Sequence, residues 1–329
     1  RLLDSWSFDR FSPPPPTDYR QLPTFPHLTF YCSPAATRMS LPANSSTTAP
    51  EPEWTKIIEP QHRLIHVDWK EIWQYRDLIY LFVKRDFTAQ YKQTILGPLW
   101  FLIQPILSSS IFTIVFSQIA GLSTDKIPPF LFYMAGLVAW GYFADCLNKS
   151  AGTFSSNASI FSKVYFPRLT VPIANAITNL LTFGIQLGLF LFVWVVLLLK
   201  GAPIHPQLAI VFLPLLLLEM ALLGIGVGCL ISSYTTRYKD LSMLVGFGVQ
   251  LWMYASCVFY PLSSVPETWR WVLVLNPMVP IIEGFRYAFL GAGIVERWQL
   301  CVGFGVSCLI FLIGEMVFRR TERTFSDTI

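Results

Sequence analysis

Glu219 stands between Leu215–Leu218 and Met220–Leu223, and it is the sole charge between Leu208 and Ile231. A carboxylate inside such an apolar run costs a few kcal/mol in hydrocarbon, so it must face protein. Two roles fit: a contact for cargo or gating, or one end of an interhelical hydrogen bond. Asn175, Asn179, Thr182 and Gln186 recur at spacings of four, three and four, which sets a polar stripe along one face of a helix. In lipid such a stripe needs partners, either a second helix or an aqueous path. Gln104 and Gln250 carry the same ambiguity. Trp252 and Tyr254, with Trp100, Phe101, Phe259 and Tyr260, offer flat faces on which sugar rings could slide, although Trp and Tyr gather at membrane interfaces in any membrane protein.

A further group is cationic. Lys84, Arg85 and Lys92 precede the first long apolar run and so belong at the membrane surface. Arg85 can grip two phosphate oxygens in a fork, while Lys84 and Lys92 act as point charges, so the trio is a candidate for binding an anionic headgroup. The plainer role is contact with anionic lipid, worth about 1 kcal/mol per residue.

The elements that must hold these groups are transmembrane helices. The chain has 329 residues, 53% hydrophobic and only 13% charged, against about 25% charged in a soluble domain. Six apolar runs read as spans, at about Leu96–Ile119, Phe130–Leu147, Leu169–Leu199, Leu208–Ile231, Leu241–Leu262 and Trp298–Phe318. The third would be about 46 Å long as one helix, against roughly 30 Å of hydrocarbon, so it should tilt or project. Before them, 61–95 reads as an amphipathic surface helix, started by the capping-box spacing of Asp68 and Glu71 and carrying Tyr75, Leu78, Ile79, Phe82 and Val83 on one face. Between the fifth and sixth spans, Ser263–Arg297 is apolar but broken by Pro266, Pro277 and Pro280, which suits short re-entrant helices shielded by protein. The expected fold is therefore an all-α polytopic membrane protein, with the transmembrane domain over 96–329. The glycines at 224, 226, 228, 246, 248, 303 and 305 read as close-packing points.

Lys and Arg are denser on one set of flanks (Lys84, Arg85, Lys92, Lys149, Lys163, Arg168, Arg237, Lys239, Arg319, Arg320 and Arg323) than on the other (Lys126, Lys200, Arg270, Arg286 and Arg297). By the positive-inside rule the richer side is cytoplasmic, with both termini inside. Residues 1–60 differ in kind, with prolines at 13–16 and a Ser/Thr/Pro/Glu-rich stretch at 44–52. They do not read as a secretory signal, and a Met-Ser-Leu-Pro start at Met39 makes 1–38 an expected upstream translation or disordered tail.

Four stretches resemble the permeases of polysaccharide-export ABC transporters, which move O-antigen, capsule or teichoic acid. Tyr75–Pro105 (YRDLIYLFVKRDFTAQYKQTILGPLWFLIQP) looks like that family's interface helix entering its first span. Ile160–Arg168 (IFSKVYFPR) is similar to the loop the family uses to couple with its ATPase. Arg237–Leu241 (RYKDL) and Leu275–Arg286 (LNPMVPIIEGFR) follow in the expected order. The resemblance implies a homodimer in the bacterial plasma membrane, two ABC ATPase subunits per complex, and a lipid-linked polysaccharide as cargo. It assigns ATPase coupling to Ile160, Phe161, Lys163, Tyr165, Phe166, Pro167 and Arg168. Phe161, Tyr165 and Phe166, apolar in an otherwise polar loop, are expected to form a knob for a groove on the partner.

The sequence itself contains no GxxxxGK[ST] loop for ATP phosphates, so ATP and magnesium are expected on the partner ATPase and no cofactor on this chain. Nor is there a DxD-like or HExxH pattern, as a membrane glycosyltransferase or metalloprotease would need. The six cysteines form no CxxC pair, so a metal site or disulfide framework is not expected. A net charge of +4, spread along the chain, suits cytoplasmic loops and lipid headgroups rather than nucleic acid. An exporter of a drug, peptide or simple lipid has the same architecture. A channel or ion-coupled transporter would call for inverted repeats, and none is evident.

Overall fold

The computed structural model describes residues 69–92, 96–161, 163–164, 166–236, 238, 240–294 and 296–325. The tail at 1–60, the Asp68 cap, Tyr165, Arg237 and Lys239 lie outside the described residues. Eleven α-helices are present among the described residues, and no strand. The surface segment is two helices rather than one, α1 (Trp69–Gln74) and α2 (Arg76–Lys92). Next come α3 (Trp100–Phe112), continued as a π-helix over Thr113–Ile119, and then α4 (Pro129–Ala151), α5 (Thr153–Phe161) and α6 (Thr170–Leu199). The chain finishes with α7 (Leu213–Thr235), α8 (Leu241–Tyr254), α9 (Glu267–Val274), α10 (Met278–Leu290) and α11 (Arg297–Phe325).

Five helical stretches are long and apolar enough to cross a bilayer: Gly97–Ile119, Pro129–Ala151, Thr170–Leu199, Leu208–Thr235 and Trp298–Glu322. They match five of the six expected runs. The other, expected over Leu241–Leu262, is helical only through Tyr254, where Ala255–Tyr260 break into turns. After it, α9 and α10 meet at 101°. This bent pair is the broken hairpin that Pro266, Pro277 and Pro280 foretold, since proline neither donates to a helix nor follows a helical residue easily.

The two ends of the bundle differ. At one, Ser263 Oγ donates to Asp125 Oδ1 (2.8 Å), and the Gln207 amide donates to the Ala288 carbonyl (3.0 Å), which ties the loops at 120–128 and 200–207 to the hairpin. At the other end α2, α5, the segment after it and the last turns of α11 come together, bringing with them most of the Lys and Arg among the described residues. We call these the hairpin end and the basic end.

Helix α4 is the centre. Within its best apolar window 72% of residues are buried, against 11 to 33% in the other four spans. Lipid tails are as apolar as leucine, so helices here gain by close contact and not by leaving water. Glycine supplies that contact. A Cβ on Gly224 would lie 2.8 Å from Cys146 Cβ, and one on Gly228 would lie 2.4 Å from Ser150 Cβ, so α7 sits directly on α4. Gly226, on the opposite face of α7, meets α11: its carbonyl oxygen stands 2.2 Å from where a Cβ on Gly314 would be. Gly246, Gly248 and Gly305, expected to pack likewise, face open space. Outside these seams the surface is apolar, with Leu107, Ile111, Phe192, Phe247 and Leu309 all more than half exposed.

The hairpin is clasped by a buried ion pair. Arg286 Nη1 lies 3.2 Å from Glu283 Oε1, and both side chains are 1% exposed. Arg286 also donates to the carbonyls of Cys257 (2.8 Å) and Val258 (2.7 Å), and its guanidinium carbon stands 3.7 Å from the centre of the Phe132 ring. Glu283 accepts from the amides of Leu262 and Ile294, at 3.3 Å each. One pair thus fastens the turns after α8, the loop before α11 and helix α4 to α10. Gly136 makes the room, since a Cβ there would come 2.8 Å from Arg286 Nη2. Cys257 holds φ at 56°, a left-handed conformation uncommon for a residue with a side chain, and its carbonyl is one that Arg286 grips.

Two stability measurements follow, both on the detergent-solubilised chain by thermal unfolding. Gly228→Ala should destabilise by about 1–3 kcal/mol through overpacking, whereas Gly246→Ala should be neutral or slightly stabilising because nothing crowds it and Ala is the better helix former. Arg286→Met should cost about 3–5 kcal/mol by leaving the Glu283 charge buried alone. Adding Glu283→Leu should then recover part of that loss, and a double variant no more stable than Arg286→Met would contradict the clasp.

Candidate functional site at the basic end

The candidate coupling residues sit where α5 turns back toward α6. Phe161 and Phe166 do not project from the segment as a knob. Phe166 is 3% exposed, with its ring 5.7 Å from Phe82 and 5.6 Å from Phe161, in a cluster completed by Val83, Val171 and Ala174. The expectation failed because an apolar side chain is read equally well as a knob or as a core residue, and α2 lies close enough to cover it. The face of α2 carrying Leu78, Ile79, Phe82 and Val83 accordingly packs on protein rather than on lipid. Among the described residues at the tip, Lys163 and Val164 are exposed, Val164 at 57%. Ile160 is half-buried against the same cluster.

Arg168 connects this segment to the last span. Its Nε lies 3.7 Å from Glu322 Oε1, and its Nη1 donates to the Glu322 carbonyl (3.2 Å). Its guanidinium carbon stands 5.2 Å from the Phe161 ring centre and 5.8 Å from that of Phe154. Phe154 in turn stacks on Phe318 at 4.5 Å. Pro167, which cannot donate a backbone hydrogen bond, precedes this contact.

The polar stripe of α6 is a seam against α4. Asn175, Asn179 and Thr182 are buried. Lys149 Nζ donates to Asn179 Oδ1 (2.6 Å), Asn179 Nδ2 to Cys146 Sγ (3.7 Å), and Asn175 Nδ2 to the Lys149 carbonyl (3.5 Å). Gln186, half-buried, continues the seam: its Oε1 lies 3.8 Å from where a Cβ on Gly141 would stand. By sequence Lys149 is a flank charge, and in the fold it is half-buried against α6. Asp145, one turn earlier on α4, stays exposed. Asp145, Asn148 and Lys149 stand three to four residues apart on α4 and so lie toward one face, a signal that sequence reading could have used.

Arg85 joins this seam. With Asn148, Lys149, Asn157 and Asn175 it lines a cavity of about 470 Å³ between α2, α4, α5 and α6. Lys84 and Lys92 are exposed and line no part of it. The structure therefore gathers one of the three basic candidates and replaces the other two with Lys149.

The remaining candidates are scattered. Glu219 is 1% exposed, and its Oε1 accepts no hydrogen bond among the described residues. It lies in the notch left by Gly303, where a Cβ would come 2.8 Å from that oxygen. Trp252 is a packing residue, donating to Asn276 Oδ1 (3.0 Å) and meeting Phe143 edge-on at 5.0 Å. Tyr254 stacks on Phe259 at 5.0 Å. Gln104 on α3 and Gln250 on α8 are exposed, on faces that no other part of the described chain covers.

Comparison with known proteins agrees with this architecture. The O-antigen export system permease protein of Myxococcus xanthus is 26% identical over 263 residues, covering 79% of this chain and 98% of that protein. The protein of the same name from Klebsiella pneumoniae is 24% identical over 258 residues, covering 77% and 95%. The polysialic acid transport protein of Escherichia coli is 22% identical over 239 residues, covering 72% and 91%. Residues 77–290, from the first turn of α2 to the last residue of α10, match the family described as ABC-2 type transporter. This polytopic chain belongs to the ABC-2 type transporter family, as a membrane-spanning transport subunit.

Proposed function

We propose that the chain is the permease of an ATP-driven exporter of lipid-linked polysaccharide of the O-antigen, capsule or teichoic-acid kind, working as a homodimer with two ABC ATPase subunits. The observation that carries this is the likeness to O-antigen export permeases along 95–98% of their length. ATP and magnesium belong to the partner subunits, since this sequence has no phosphate-binding loop. The uncovered faces of α3 and α8, with Gln104 and Gln250 on them, support a second copy of the chain as their neighbour. Lys84 and Lys92, exposed on α2, serve as point charges toward anionic lipid.

Coupling in this reading starts at the exposed tip, Lys163 and Val164. It passes through Arg168 to Glu322 and through Phe154 to Phe318, so that a push on the segment moves α11 directly. Interfaces and packed cores switch between discrete arrangements and do not bend continuously, which is what such a linkage requires.

The basic end is the cytoplasmic end, by the density of Lys and Arg. In intact cells Lys126→Cys and Pro203→Cys should react with a membrane-impermeant thiol reagent, and Tyr238→Cys should react only after permeabilisation. Tyr238→Cys labelling from outside would reverse the orientation.

Val164→Asp should reduce co-purification of the ATPase subunits and lower export at least several-fold, with membrane insertion unchanged. Phe166→Asp should instead loosen α2 and lower the thermal stability of the isolated permease. Unaltered ATPase association in Val164→Asp would remove this tip from the interface.

A further inference from the structure

The cavity at the basic end has the makings of an anion site. Arg85 Nε bonds Asp86 Oδ1 at 2.7 Å, and its guanidinium carbon stands 4.8 Å from the Phe82 ring centre, so the group is oriented from two sides. That bond uses Nε and leaves Nη1 and Nη2 without a partner among the described residues. Lys149 spends one N–H on Asn179 and has two more to give. Asp86 is the one carboxylate on the wall against these two cations, and Asp145 lies outside the lining. No aromatic ring lines the cavity, so it lacks the flat apolar face on which a sugar would stack.

Depth agrees. Lys149 follows Pro129 by twenty residues of continuous helix, about 30 Å of rise, which is one hydrocarbon thickness. If the Pro129 end of α4 meets one interface, Lys149 meets the other, at the level of lipid phosphates. One wall is Asn157 and Ile160 of α5, so an occupant also touches the coupling segment.

We propose that this cavity binds the phosphate or diphosphate of a lipid headgroup, with Arg85 as a fork and Lys149 as a point charge. Two sources present that same chemistry, the phosphate at the lipid–sugar junction of the cargo and a resident anionic phospholipid. The proposal depends on the export reading only for the first source, and the binding measurement that decides it involves no transport.

The test titrates the purified full-length permease, in neutral phosphatidylcholine nanodiscs, with a short-chain polyprenyl diphosphate and separately with a short-chain phosphatidylglycerol, binding being followed by native mass spectrometry. At least one should bind. Arg85→Gln and Lys149→Gln should each weaken it about ten-fold or more, because hydrogen bonds to charged groups are the strong ones. Arg85→Lys should lose most of the same affinity, while Lys200→Gln, exposed at the hairpin end, should lose none. The Arg85 side chain is 43% exposed, so its variants keep the fold even where Lys149→Gln does not, and circular dichroism checks this. Preference for the diphosphate assigns the site to cargo, and equal binding assigns it to headgroups at large; either supports the proposal. Binding of neither lipid, or affinity untouched by Arg85→Gln, overturns it. A variant that loses binding yet still exports would leave the exporter reading standing and show that the cavity is not needed for it.

Discussion

Helices in a bilayer gain nothing by hiding apolar side chains from one another, and this constraint governs the whole chain. What draws α4, α7 and α11 together is the approach of backbones at residues without side chains. Gly224 and Gly228 admit α4 on one face of α7, while Gly226 and Gly314 admit α11 on another. Because the two seams lie on different faces of one helix, α7 cannot rotate about its axis without breaking both. The three helices behave as a plate, and the remaining elements hang on it. The surface helix and coupling segment hang at the basic end through Phe82, Phe166 and Arg168, and the hairpin hangs at the other through Glu283 and Arg286.

Charge is handled in two ways. At the hairpin end the ion pair is sealed, and both Nη nitrogens of Arg286 donate to a carbonyl or the Glu283 carboxylate. Such a pair is weak evidence of stability but strong evidence of a fixed arrangement, since losing either partner strands the other. At the basic end the charges are left half-open, with Arg85 and Lys149 facing a cavity. The one end is built to hold and the other to receive.

Much of this could be read along the chain, and the failures have physical causes. The five long spans, the unbroken 30-residue α6 and the bent hairpin follow from apolar run length and proline placement. The Asn175–Asn179–Thr182 face was legible because polar residues in an apolar helix stand out at helical spacing. Its partner face on α4, Cys146 and Lys149, does not stand out, because Lys149 lies at the end of a span, where charges are expected as flanks. Arg286 likewise reads by sequence as a flank cation, and only the fold shows it to be sealed. Phe166 reads by sequence as a knob for a partner and is instead buried beneath α2, because apolarity does not say whether protein or a partner covers it. The meeting of Gly226 with Gly314 depends on a contact that no local pattern records.

The shortness of α8 carries a consequence for the bilayer itself. Fourteen residues of helix make about 21 Å, some 9 Å less than the hydrocarbon beside it. The difference must be met by lipid that thins locally or by the turns at Ala255–Tyr260, and the exposed indoles of Trp269 and Trp271 stand nearby in the chain as interfacial anchors. Each ångström of such mismatch costs a fraction of a kcal/mol. Acyl-chain length is therefore a load on this permease, felt at α8 before it is felt anywhere else in the bundle.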